Sequence, residues 1–456
     1  MRQDTDIAAR ASATPSLTQD LAALLRREVT QSDRERAALH VLDWIGCAVI
    51  GAATPVGAVT KDYGALQPAG PCKAIGVGEV RAETAAFVNG AYGNVLEMDD
   101  IHGPSILHPG PVVIPAALAC AQAVGADSAS FLDAVVRGYD AVIRIGTSVG
   151  LGHYKYFHNT ATCGPFGAAA AAGVLLGLDD DGLVHALGNA GTSAGGLWQV
   201  RHEDAMSKQL HTARAAQSGL VTAQLAARGF TGPAFILEGE HGFYAALCSD
   251  ADPSLVTAGP GDRWRIFDTS FKPWAACRHA HAITDAALLL REQVDPADVA
   301  RVAVRSYADA VAFCDRPEPA TTVEAKFSAQ HVVAVVLVDG PPTLASFDPP
   351  AIARTDLAAA RARVTIEAAE PYASAYPMHY GAEVEATLAS GGVVSAAVRD
   401  ALGDPANPVS EDAVTAKARE LMAAGGMLEQ NIAAIVGATG ALAAGGTLDE
   451  MTALLP

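Results

Sequence analysis

Along the first half of the chain, apolar positions recur at helical spacing. Leu17, Leu21, Leu24 and Leu25 mark one face of a helix that Ser16 can cap, and Ala38, Leu42, Ile45 and Val49 mark a second, so residues 16–52 read as helical. The same pattern predicts helices over Glu83–Glu97, Val112–Val124, Ala129–Val149, Gly167–Leu178 and His211–Arg228. Several end at a glycine (Gly51, Gly125, Gly177, Gly229), the residue that tolerates left-handed backbone at a helix C-terminus. The texture changes near residue 265. Val299–Tyr307, Arg363–Ala368 and Ala382–Arg399 carry Val and other β-formers, the last broken by Ser390-Gly391-Gly392 as a hairpin would be. Ala282–Gln293 and Ala329–Val338 read as helices between them, which together suggests a separate α+β domain. From Ser410, with Glu411 and Asp412 in a first turn, the pattern is helical again, and this tail can rejoin the helical domain.

The chain has 456 residues, half of them hydrophobic, enough for one large core and a second, smaller one. Aromatics are only 6% while Ala and Gly abound, which favours closely packed helices. A formal net charge of −19 repels nucleic acid and anionic membranes. An anionic substrate must then be met by local, clustered cations. The seven cysteines stand 25 or more residues apart with no CxxC, which reads as reduced thiols in a cytoplasm. The N-terminus, MRQDTDIAARASATPS, has no apolar signal core. The longest apolar run, Cys163–Leu178, meets Asp179-Asp180-Asp181 and reads as a buried helix rather than a membrane span.

Four segments concentrate chemistry. Leu96–Pro115 packs Glu97, Asp99, Asp100, His102 and His108 in front of an apolar helix. Asp99 and Asp100 suit either helix-end and backbone hydrogen bonds or a cavity wall. His108 precedes Pro109-Gly110-Pro111, whose irregular backbone can present the ring to a cavity. His158 lies before the Gly/Ala-rich helix, facing either a bound carboxylate or its neighbours Tyr156 and Phe157. Lys208, in Ser207-Lys208-Gln209-Leu210-His211, opposes the dipole of a helix that begins there. Ser270–His281 holds Lys272, Cys277, Arg278, His279 and His281, and Arg278 suits a bidentate carboxylate clamp. Two histidines two apart also suit a metal, but no third ligand at defined spacing accompanies them, so no metal is expected.

Taken together, AAFVNGAYGNVLEMDDIH…LHPG, FHNTATCGPFGAAAAAG, SKQLH with GFTGPAFILEG, FKPWAACRHAH and EAKFSAQHVVAVVLVDG resemble the MmgE/PrpD family nearly end to end. That family includes 2-methylcitrate dehydratase, cis-aconitate decarboxylase and iminodisuccinate epimerase. The resemblance implies a mainly α fold: a large all-helical domain from both chain ends, 1–265 with 406–456, and a smaller α+β lid domain over 266–405. It further implies a homodimer and a metal-free, cofactor-free site between the domains. Carried over by motif, the catalytic residues are His108, His158 and Lys208, and the lid lysine is Lys272. Substrate contacts are expected from Glu97, Asp100, Ile101, Lys272, Cys277, Arg278 and His331. Glu97 stands where the family motif has aspartate, and Ile101 where a hydroxyl residue is common. Cys277 and His331 replace a histidine and a tyrosine that the decarboxylase uses.

These residues permit proton transfer at a carbon next to a carboxylate, with imidazoles as bases and cations opposite the developing enolate. The expected activity is that of a cofactor-independent lyase of dehydratase type on a small di- or tricarboxylate. The alternatives, in order, are an epimerase or isomerase of a dicarboxylate, a decarboxylase of a cis-aconitate-like acid, and a non-catalytic carboxylate-binding relative.

Overall fold

The computed structural model describes residues 14–203 and 205–456; most of the N-terminal stretch that carries no apolar signal core, residues 1–13, lies outside the described residues. The fold is mainly helical and divides into two compact units. One comprises Met1–Val95, Ser105–Asp268 and Thr415–Pro456, the other Leu96–Pro104 and Thr269–Val414.

In the first unit, short polar side chains set where the helices begin. Leu17–Leu24 opens with a capping box in which Ser16 Oγ accepts from Gln19 N (3.2 Å) and Gln19 Oε1 accepts from Ser16 N (2.8 Å). Thr30 and Asp33 repeat the device for Gln31–Ala52, Asp127 caps Ser128–Ser148, and Asp179 caps Asp180–Thr192. The Gly/Ala-rich helices Gly110–Val124, Ser128–Ser148, Asn159–Leu175 and Ser207–Ala226 pack on one another. A Cβ at Gly138 would lie 2.9 Å from Gly167 O, and one at Gly167 2.8 Å from Gly138 O, so two backbones meet with no side chain between them. That close crossing is what the small-residue composition provides. Leu21, Val41, Ile45, Phe131, Phe166 and Leu220 lie in the core, joined by Ile432, Ile435 and Met451 from the chain end.

The unit is not all-helical. Ala69–Ala74 pairs antiparallel with Gly78–Val80, the chain turning through Gly76 (φ 71°) and Gly78 (φ 112°). A three-residue strand is too short to show alternation in sequence. Helix boundaries also move. Ala82–Tyr92 stops well before Glu97, while Asn159–Leu175 and Ser207–Ala226 start ahead of Gly167 and His211. Gln31–Ala52 runs through Gly51 rather than ending there; Gly51 serves close packing, since a Cβ there would meet the Tyr92 carbonyl. Among the described residues no single helix is long and apolar enough to cross a membrane; Gln31–Ala52 and Pro55–Ala65 together would be, but they meet at 89°.

The second unit is a mixed four-stranded sheet carrying helices. Strand order is Val364–Ala368, Val299–Ser306, Ala382–Leu388, Val393–Val398, the first pair parallel and the others antiparallel. Helix His281–Arg291 packs on the Ala382–Leu388 and Val393–Val398 strands, and Ala329–Asp339 on Val364–Ala368. Leu96–Pro104 belongs to this unit, not to the helical one where the sequence pattern put it. Backbone pairing decides the matter: Ile101 N donates to Ser270 O (3.1 Å) and Ser270 N to Ile101 O (2.8 Å).

Candidate active site

In the first unit, His158 occupies the N-cap position of Asn159–Leu175 and is 1% exposed. A two-residue ladder fixes its backbone: His158 N donates to Gly196 O (2.9 Å) and Trp198 N to Tyr156 O (2.9 Å), around a bridge between Phe157 and Leu197. The His158 ring lies against the Trp198 indole, 4.4 Å between centroids. Phe157 stacks instead on His153. On the other side, His158 Nδ1 is 3.2 Å from Nδ1 of His211. His211 and the half-buried Lys208 both lie in the first turns of Ser207–Ala226. His108, also buried, approaches the His158 ring edge-on at 6.4 Å. Its loop is tied to the His158 helix, since Asn159 Nδ2 donates to Ser105 O (2.8 Å) and His108 N to Thr160 Oγ1 (3.0 Å). Two residues earlier, Ile106 is held left-handed (φ 51°), rare for a β-branched residue and a sign of a conformation imposed by its surroundings.

The electrostatics follow from this crowding. Burial, then Lys208, His211 and His108, holds the His158 imidazole well below its ordinary range. Burial, and after it Lys208, pulls His211 down to about 4. Both rings are thus neutral near pH 7, poised as proton acceptors beside an ammonium.

In the second unit the segment from Glu97 to His102 is buried. Asp99 and Asp100 cap no helix, since Ala82–Tyr92 has ended and Gly110–Val124 has Pro109 at its N-cap. Glu97 is left-handed (φ 59°) and its carboxylate lies 3.5 Å from the fully buried Lys272 ammonium. Arg278 is paired through Nη2 with Asp404 and lies 5.0 Å over the Tyr380 ring, while its Nε and Nη1 have no acceptor. Burial opposes the guanidinium charge, but Asp404 outweighs it and raises the pKa. Cys277 and Cys314 are buried together. Burial disfavours a Cys277 thiolate, yet the hydrogen bond from Cys314 prevails, so Cys277 is lowered and Cys314 raised. His331 spends both ring nitrogens locally: Nε2 donates to Ser346 O (2.8 Å) and Nδ1 accepts from Arg361 Nη1 (3.1 Å).

The sequence-predicted residues therefore form two groups. His108, His158 and Lys208 come together in the first unit. Glu97, Asp100, Ile101, Lys272, Cys277, Arg278 and His331 all fall in the second, with Glu97 beside Lys272 and His331 committed to its own loop. Sequence reasoning assigned no role to His211, Trp198 or Asp404. His211 was within reach, because three residues after Lys208 it shares that helix face. Among the described residues no group of three or more His, Cys, Asp and Glu side chains is arranged to hold a metal ion.

The sequence matches the MmgE/PrpD N-terminal domain over residues 16–256 and the MmgE/PrpD C-terminal domain over 274–439. It is 27% identical to a cis-aconitate decarboxylase of Aspergillus terreus (strain NIH 2624 / FGSC A1156) over 372 residues, 76% of each chain. To cis-aconitate decarboxylase of Homo sapiens it is 27% identical over 408 residues, 84% of this chain and 82% of the relative. The Mus musculus protein of the same name is 28% identical over 360 residues, 73% of this chain and 72% of its own.

Proposed function

Because the chain belongs to the MmgE/PrpD family, we propose that it is a cofactor-independent lyase of dehydratase type, acting on a small di- or tricarboxylate. The observation that carries this reading is the pair of neutral imidazoles, the buried His158 and the half-buried His211, beside the Lys208 ammonium and His108. A proton on carbon next to a carboxylate is very weakly acidic, so its removal needs a neutral base and a cation facing the enolate that forms. His158 takes the α-proton, and its electron pair becomes the enolate. As the enolate collapses to the alkene, the β-hydroxyl leaves with a proton from Lys208, as water. His108 orients the substrate or shares in the proton transfer. Lys272 and the unused Nε and Nη1 edge of Arg278 are suited to carboxylate groups.

A second reading is favoured by the likeness to cis-aconitate decarboxylases. There one carboxylate leaves as carbon dioxide and the electron pair it releases is protonated at carbon. Cys277 and His331 weigh against it, His331 especially, since both of its nitrogens are engaged within its own unit.

Incubation of hydroxy-, unsaturated and amino-polycarboxylates in heavy water, followed by proton NMR, separates these outcomes. Loss of the α-proton signal with appearance of an alkene, or the reverse addition of water to an unsaturated acid with deuterium entering at the α-carbon, supports the dehydratase. Carbon dioxide release selects the decarboxylase instead, and inversion without elimination, or no turnover across the panel, overturns both. In the dehydratase reading His158→Ala and Lys208→Ala each abolish turnover while circular dichroism and melting temperature stay near those of the parent.

A further inference from the structure

Two imidazoles whose Nδ1 atoms lie 3.2 Å apart share one hydrogen between those atoms. If His211 donates it, the His158 hydrogen sits on Nε2 and that ring has no lone pair to offer a substrate. If His158 donates, Nε2 of His158 is bare. Only the second arrangement makes His158 a base. We infer that His211 is a positioning residue: its Nδ1 accepts the Nδ1 hydrogen of His158, fixes that tautomer, and leaves His158 Nε2 to take the substrate proton. The inference rests on the carbon-acid reading above and assigns a partner to its base.

The arrangement also answers a difficulty in the site. His158 is deeply buried and faces Lys208, His108 and His211, the last a repelling charge only once it is itself protonated near pH 4, so protonating His158 is costly. Its ladder partner Gly196 and its ring neighbour Trp198 bring no charge. Once Nε2 has been protonated, the His158–His211 hydrogen bond becomes charge-assisted and stronger. It then offsets part of the cost in the state where the proton has moved, and not before. His211 can act in this way because Lys208 and burial keep it neutral, with Nδ1 open as an acceptor. Geometry suits the role: Ser207–Ala226 carries His211, and a Cβ at Gly196 would come 3.6 Å from its ring, so the ring is walled by the same loop that holds His158.

The test has two arms. Histidine-selective nitrogen NMR of the intact protein at neutral pH is expected to show His158 as the Nδ1–H tautomer, changing to Nε2–H in His211→Leu; Nε2–H in the parent protein overturns the inference whether or not a substrate has been found. With a turned-over substrate, His211→Leu is expected to lower kcat by about 10²-fold or more with KM little changed, and to move the acid limb of the pH profile to lower pH. His211→Asn, whose Oδ1 stands near the place of Nδ1, should recover most of that loss and restore the limb. Equal losses in the Leu and Asn variants with an unmoved limb would reduce His211 to packing and sink the proposal.

Discussion

Lys208 sits in the first turn of a helix, where the dipole already disfavours a cation, and two imidazoles, the buried His158 and the half-buried His211, lie within its field. Each positive group makes the next proton harder to accept, which keeps the rings neutral and the ammonium the sole standing charge of the set. Lys208→Met removes that charge. The His211 pKa is then expected to rise from about 4, and that of His158 to rise with it, both staying below the ordinary value of about 6.5 because burial is the larger cause. A histidine NMR titration checks this, and an unmoved His211 curve would contradict it. The misplaced lysine was visible in the bare sequence as a conflict with helix polarity. Its effect on His158 was not, since Lys208 and His158 lie far apart along the chain and only the fold joins them. The Arg278–Asp404 pair is a stronger case, with 126 positions between its members. Read alone, Arg278 is a free clamp; in the fold one edge is already taken.

At the scale of elements, the site hangs on a loop rather than on a helix. The ladder of Tyr156–His158 with Gly196–Trp198 sets the His158 ring against Trp198 and His211. Gly196 (φ 144°) sits in backbone space that side chains avoid, and a Cβ there would lie 2.3 Å from that of Ala161. Gly196→Ala is therefore expected to cost about 1–3 kcal/mol of stability. It should also lower kcat about tenfold or more, since a small displacement of a catalytic group is expensive. Thermal unfolding and initial rates measure both, and a variant unchanged in each would show that the ladder does not hold His158. The start of Leu17–Leu24 was legible to the residue because its Ser16 cap is local, whereas the equally capped Asp180–Thr192 was not read as a helix. The start of the His158 helix was not legible either: His158 offers no side-chain cap and Pro165 falls inside the helix. Nor could sequence show that the acidic stretch divides, Glu97–His102 falling in the sheet unit, where Ile101 pairs with Ser270, while His108 stays with the helical unit.

Across the whole molecule, buried histidines make stability depend on pH. Burial holds His279 at about 3, His211 at about 4, and His153, His158 and His331 below their ordinary value. Between about pH 6.5 and pH 4 the unfolded chain binds protons that the native one refuses, so stability is present above that window and is lost as pH falls through it. The melting temperature is expected to drop steadily from pH 7 to pH 5, and His279→Phe to flatten the slope. A melting temperature level over that range would refute the neutral state of these rings. The division of the chain has its own consequence. Ala418, Met422, Ile432 and Ile435, from the last segment, fill the same interior as Leu21 and Val41. A ribosome releases those two ends far apart in time. The early helices must wait, with their greasy faces uncovered, while the whole inserted sheet unit is being made. During synthesis this half of the molecule is a natural client for chaperones, and a stalled or prematurely terminated chain would leave it open to aggregation.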